Sequence, residues 1–165
     1  GRRGSLFLSR RRRTEQDARA VKAPSATFNC VGPAGVGTGS LAGMRMLHHL
    51  ADTTHIWPFG DASCPTASLV LVEIFSSYYF AAAGIRPVNQ QQAALPALNQ
   101  ALGFYGSAPL LDNSHLGGPD ADDADALIAA AALRHHVADK ACWQVPDEAA
   151  LEGWIFGVKS GSQKP

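Results

Sequence analysis

Ser68-Leu69-Val70-Leu71-Val72-Glu73-Ile74-Phe75 is the stretch on which the fold turns. It is rich in valine, leucine and isoleucine and is apolar at odd and even positions alike, the pattern of a strand covered on both faces. A sheet covered on both faces belongs to an α/β layer structure. The run carries a single charge, Glu73. A carboxylate in such surroundings is costly unless something positive or polar meets it. Glu73 therefore either closes the strand and faces a cleft or has a partner elsewhere in the chain, and it is the first candidate functional residue.

The second informative stretch is Asp120-Ala121-Asp122-Asp123-Ala124-Asp125-Ala126-Leu127-Ile128-Ala129-Ala130-Ala131-Ala132-Leu133. Alanine and leucine favour helix, Pro119 stands where a first-turn proline is tolerated, and the next proline is Pro146. These features predict a helix over 120–138. Asp122 and Asp125 share one of its faces, which continues through Ala129, Ala132 and, less squarely, Leu133. An apolar helix face is expected to pack on a sheet, which puts both carboxylates at the rim of a core. Two explanations stay open. Acids in a first turn are favoured by the helix dipole and its unpaired N–H groups by about 0.3–1 kcal/mol each, with no function attached. Paired carboxylates on one face are also ligands for a hard cation. Asp120 and Asp123 need only the first explanation.

Around these stretches strand and helix alternate. Residues 26–31 read as a short extended piece, and residues 54–59 as a strand ended by Pro58. Residues 76–83 read as a helix, followed by a second from Pro87 through Leu102 that is interrupted near Pro96. Residues 145–148 read as a turn and residues 152–158 as a last strand. The glycine-rich Gly32-Pro33-Ala34-Gly35-Val36-Gly37-Thr38-Gly39-Ser40 runs into a predicted helix over 41–51 with Thr38 or Ser40 as its cap. It has the look of a phosphate cradle. A nucleotide-binding loop of that type needs a lysine after its last glycine; here Gly37 is followed by Thr38 and Gly39, so a structural loop, or one holding a substrate backbone, is the better reading.

At 165 residues and 46% hydrophobic composition, the chain suffices for one domain with a sizeable core. Its formal net charge of zero hides an asymmetry: Arg2, Arg3, Arg10, Arg11, Arg12, Arg13, Arg19 and Lys22 crowd the start, and acids gather over 112–125. Residues 1–24 are read as a basic arm or irregular segment, solvated or in contact with nucleic-acid phosphates, and residues 159–165 as a tail. Cys30, Cys64 and Cys142 lie far apart with no Cys-x-x-Cys and no ligand-spaced histidine, which points to a reducing, cytoplasmic setting without a zinc site. The pairs His48-His49 and His135-His136 are expected at the surface. No apolar run approaches the length of a membrane span.

Arg12-Arg13-Thr14-Glu15, the Val31–Met44 glycine segment, Ile56-Trp57-Pro58-Phe59, Val72-Glu73-Ile74-Phe75, Asp122-x-x-Asp125-Ala126 and Glu152-Gly153-Trp154-Ile155 occur in this order in a family of predicted nucleases. From about residue 11 to residue 158 the chain resembles that family, whose fold is ribonuclease H-like. The resemblance implies a mixed sheet flanked by helices, a carboxylate cluster that binds Mg²⁺ or Mn²⁺, and hydrolysis of phosphodiester bonds in nucleic acid. By similarity Glu73 is the strand acid and Asp122 and Asp125 are the late-helix acids. Two ions about 4 Å apart in such a cluster activate a water and stabilise the leaving oxygen. The superfamily begins with a strand whose aspartate bridges both ions. Leu6-Phe7-Leu8, the early apolar run, has no acid beside it. The expectation is therefore a ribonuclease H-like domain over 25–158 that is incomplete at its amino end. The alternative is a non-catalytic binding or scaffold module of the same fold, and a phosphate binder acting through residues 32–40 comes third.

Overall fold

The computed structural model describes residues 11–29, 36–59, 69–88, 94–112 and 122–161. Residues 31–35 of the glycine segment, Cys30, Cys64 and Asp120 lie outside the described residues. In chain order the described elements are α1 (Arg13–Ala18), α2 (Gly37–Leu50), β1 (His55–Ile56), β2 (Val70–Leu71), α3 (Ser76–Ala82), α4 (Leu95–Phe104), α5 (Asp122–His136), a 3-10 turn (Lys140–Trp143) and α6 (Ala149–Glu152). Helix and parallel strand are thus mixed in one chain, as the alternation of sequence patterns predicts. The chain divides into two compact units, Gly1–Glu73 with Gln144–Pro165 and Ile74–Trp143.

The first unit is built around the stretch that contains Glu73. β1 and β2 pair in parallel, His55 opposite Val70 and Ile56 opposite Leu71. The ladder runs one step further at each end through His55 N–H to the Leu69 carbonyl (3.2 Å) and Trp57 N–H to the Leu71 carbonyl (3.0 Å). Further along the same run, Glu73 forms a parallel bridge with Ile155, and Phe156 N–H donates to the Glu73 carbonyl at 2.9 Å. The expectation of a central strand covered on both faces is corrected here: the described sheet has two strands, and residues 69–75 are half-buried or exposed, Leu69 and Ile74 among the exposed ones. All three expected strands meet here, each shorter than its apolar run. Pro58 has no N–H to extend the ladder beyond β1. The expected last strand begins late, because Glu152 closes α6 and Gly153 turns the chain with φ of 74°. The described strand pairings are all parallel.

Residues 13–18 form a helix where the sequence suggests irregular chain. The reason lies in side chains that look like surface: Arg12, Thr14 and Glu15 are buried, and Ala18 packs beside them. α2 starts four residues earlier than expected, and its cap is Val36 with no side-chain hydrogen bond. Thr38 and Ser40 lie within the helix, and the Ser40 hydroxyl donates back to the Val36 carbonyl at 3.1 Å.

The second unit is helical. α5 spans most of its expected length but packs against α3 and α4, not against a sheet. Its buried residues are Ala124, Ile128, Ala129, Ala131 and Ala132, small enough to let neighbouring helices come close. They meet a core that includes Tyr79, Phe80, Leu98, Ala101 and Leu102. Pro96 does not interrupt a helix; it lies in the opening turn of α4, where its missing N–H is no loss. The Tyr105 hydroxyl donates to the Tyr79 carbonyl at 2.8 Å and ties the end of α4 to α3.

Candidate functional site

Glu73 has a partner, and the partner is Arg12. The guanidinium reaches both carboxylate oxygens, Nη1 at 2.7 Å and Nη2 at 2.5 Å, in the two-pronged geometry arginine favours. Nη1 also donates to the Glu152 carbonyl at 3.2 Å. The remaining nitrogen, Nε, donates to Glu15 Oε1 at 2.9 Å. Glu15 is fully buried and has further donors: Arg12 N–H (3.2 Å), Thr27 N–H (3.0 Å) and the Thr27 hydroxyl (2.5 Å). Burial acts to lower the pKa of Arg12, but the hydrogen bond and charge of Glu73, then those of Glu15, outweigh it and hold the group above its ordinary value. The Glu73 side chain keeps 41% of its surface exposed, so the network is sealed at Glu15 and open at Glu73.

Four of the six segments quoted for the resemblance meet around this arginine; the Val31–Met44 and Asp122–Ala126 segments are not among them. The Thr14 hydroxyl accepts Ile155 N–H at 3.1 Å, and Arg13 N–H donates to the Glu152 carboxylate at 2.7 Å. A Cβ at position 153 would lie 3.4 Å from the Phe59 ring and 3.5 Å from Arg12 Nη1. With its positive φ, that position accepts glycine and little else. Trp57 stacks edge-on against Phe156 at 5.2 Å, completing a knot made of residues 12–15, 56–59, 73 and 152–156.

Asp122 and Asp125 belong to the second unit and open α5 together. Asp125 is half-buried and Asp122 exposed, so one carboxylate of the pair, not both, lies at the rim of the core. Burial raises the pKa of Asp125, the neighbouring charge of Asp122 raises it further, and a hydrogen bond with the Ser76 side chain at the start of α3 pulls the other way. The two acids that spacing puts on one face are thus electrostatic neighbours. Among the described residues, no group of three or more His, Cys, Asp or Glu side chains is gathered closely enough to hold a metal ion.

The histidine pairs divide. His48 and His49 are exposed on α2, as expected. His136 is a correction: it is half-buried, its ring 6.2 Å from Tyr79 and 5.8 Å from Tyr105, and its Nδ1 is 3.6 Å from Cys142 Sγ. Spacing along the chain conceals this contact. The signal is Asp139, whose carboxylate accepts Ala141 N–H at 2.9 Å and turns the chain back after α5. In the first unit, a cavity of about 650 Å³ between α2 and β1 is lined by Met44, Leu47, His48, Asp52, His55 and Phe59 among others.

The chain matches no known family model, no curated protein and no solved structure. Among the described residues no helix is long and apolar enough to cross a membrane.

Proposed function

We propose that the chain is a ribonuclease H-like, divalent-metal-dependent nuclease acting on phosphodiester bonds, with Glu73, Asp122 and Asp125 as its metal-binding acids. The observation that carries this reading is the Asp122–Asp125 pair. Two carboxylates that repel each other, one of them partly desolvated, form an arrangement that a hard cation relieves. The donors are oxygens only, which suits Mg²⁺ or Mn²⁺; Mg²⁺ characteristically takes one or two carboxylates and fills its shell with water and substrate phosphate. Ser76, the hydrogen-bonding neighbour of Asp125, follows Glu73 by three residues in the chain. Bound to these acids, the ion would neutralise charge on the reacting phosphate. The protein's own part is to hold Asp125 in place through the hydrogen bond with the Ser76 side chain, which favours its ionised form against burial and the Asp122 charge.

One observation favours a second reading, the non-catalytic module: Arg12 engages both oxygens of Glu73 and leaves that acid neutralised from within. Cleavage of labelled DNA and RNA with and without Mg²⁺ separates the two. The nuclease reading expects Mg²⁺-dependent cleavage that Asp125→Asn and Glu73→Gln each abolish. Activity surviving both substitutions rules out the assigned site. Salt-sensitive binding without cleavage assigns the chain to the second reading.

A further inference from the structure

In the second unit, apart from the proposed metal-binding acids, Cys142 Sγ lies 3.6 Å from His136 Nδ1, and its thiol can also donate to Asp139 Oδ2 at 3.7 Å. We propose that Cys142 and His136 form a thiolate–imidazolium pair and make Cys142 a site of covalent modification by soft electrophiles. The sulfur–nitrogen distance is that of a proton shared between the two groups, and its position along that line is set by the surroundings. His136 is the last residue of α5, where the unpaired carbonyls of the final turn favour a cation. Its ring lies against Tyr79 and Tyr105, tilted 41° to the first and 73° to the second. A tyrosine ring within about 6 Å attracts a positive imidazolium, and Tyr105 meets that distance.

The other titratable groups facing the pair come from every element packed there. Tyr78 of α3 is held above its ordinary pKa by burial and by the charge of Cys142, so it stays a neutral phenol beside a thiolate. Tyr105 is raised by burial and then by Tyr78, and it too stays neutral. His135 lies 5.2 Å from His136 between ring centres, and the contact to the sulfur is made by His136. Asp139 is the opposing influence, since its carboxylate repels the thiolate. Cys142 carries its thiol in the 3-10 turn, half-exposed and within reach of a reagent in solution.

The chemistry balances without a cofactor. With an alkyl iodide, the thiolate forms a carbon–sulfur bond, the carbon–iodine bond breaks and iodide leaves. With a hydroperoxide, the sulfur takes the near oxygen and is oxidised to a sulfenic acid, the oxygen–oxygen bond breaks, and the leaving oxygen collects the imidazolium proton.

The test uses the full chain with Cys30→Ser and Cys64→Ser, so that iodoacetamide reports on Cys142 alone. Alkylation rate is followed over about pH 5–9, a range that brackets imidazole and thiol titration. The expected midpoint lies below the roughly 8.5 of an ordinary thiol. His136→Asn is expected to slow the reaction near neutral pH about tenfold and to return the midpoint to the ordinary value. Asp139→Asn, which keeps Oδ1 to accept Ala141 N–H, is expected to speed it about twofold. Equal rates in parent and His136→Asn overturn the proposal. Should His136→Asn not fold, an ordinary midpoint in the parent or an unchanged rate in Asp139→Asn overturns it instead.

Discussion

The chain handles its carboxylates in two opposite ways. In the first unit, Glu15 and Glu73 share one arginine that three chain segments hold in place, and each acid is brought to a positive charge within the fold. In the second, Asp122 and Asp125 are set side by side at the start of α5, where burial and then the charge of Asp122 raise the cost of charging Asp125. The first arrangement spends carboxylates on holding the chain together; the second sets like charges together, eased at Asp125 by the Ser76 hydrogen bond, where an added ion would bring further relief. Acids of one residue class, in one chain, therefore carry different meanings, and the difference is set by what stands opposite them.

Mutations sharpen this contrast in order of expected effect. Glu15→Ala leaves the Arg12 Nε and backbone N–H and both Thr27 groups without their buried acceptor, while Glu73 still meets the guanidinium; the expected loss is about 3 kcal/mol in urea unfolding followed by tryptophan fluorescence. Trp57 and Trp154, both buried in the first unit, report that transition. A loss under 1 kcal/mol would remove the buried network from the account. Thr14→Val leaves Ile155 N–H without its hydroxyl acceptor, and about 2 kcal/mol should be lost by the same measurement. Glu73→Gln keeps one acceptor for Arg12 and acts on a half-exposed group, so about 1 kcal/mol is expected.

The smallest effect is the one that singles out the second unit. Asp125 has a folded-state pKa above its unfolded value, so the folded protein binds that proton more tightly. Its contribution to stability is fully present below the unfolded pKa of about 3.8 and is lost as pH rises through the folded value. Asp125→Asn should flatten that part of the stability–pH curve and gain about 0.3 kcal/mol near neutrality, the scale of one like-charge pair on a helix surface. In the parent, millimolar Mg²⁺ should shift the same part of the curve toward lower pH. A curve that ignores both the substitution and the ion would show that the two carboxylates do not sense each other.

Legibility followed the range of the interactions. α3 and α5 could be read from the sequence because alanine, leucine and the prolines act within a few residues of themselves. The apolar run around Val70–Val72 announced a strand for the same reason, but not that its faces stay partly open to solvent. α1 was illegible: its Arg12 and Glu15 look like solvated charge, and the groups that bury them lie 61 and 140 residues away in the chain. The packing of α5 on helices was equally hidden, since an alanine face fits a helix as well as a sheet. For the acids, spacing indicated that Asp122 and Asp125 are neighbours, while the partner of Glu73 had to come from the structure. The Cys142–His136 contact depends on a turn at Asp139 that no periodicity records.

The first unit is stitched from two stretches with the second unit's residues threaded between them, and this has a consequence for how the protein is made. A ribosome delivers Arg12 and Thr14 some 140 residues before the Glu152 carbonyl and Ile155 amide that engage them. Residues 74–143, being continuous, are complete before that moment. The nascent chain thus carries an open half-knot while the whole second unit is made, and closure waits for residues 152–156 to clear the exit tunnel.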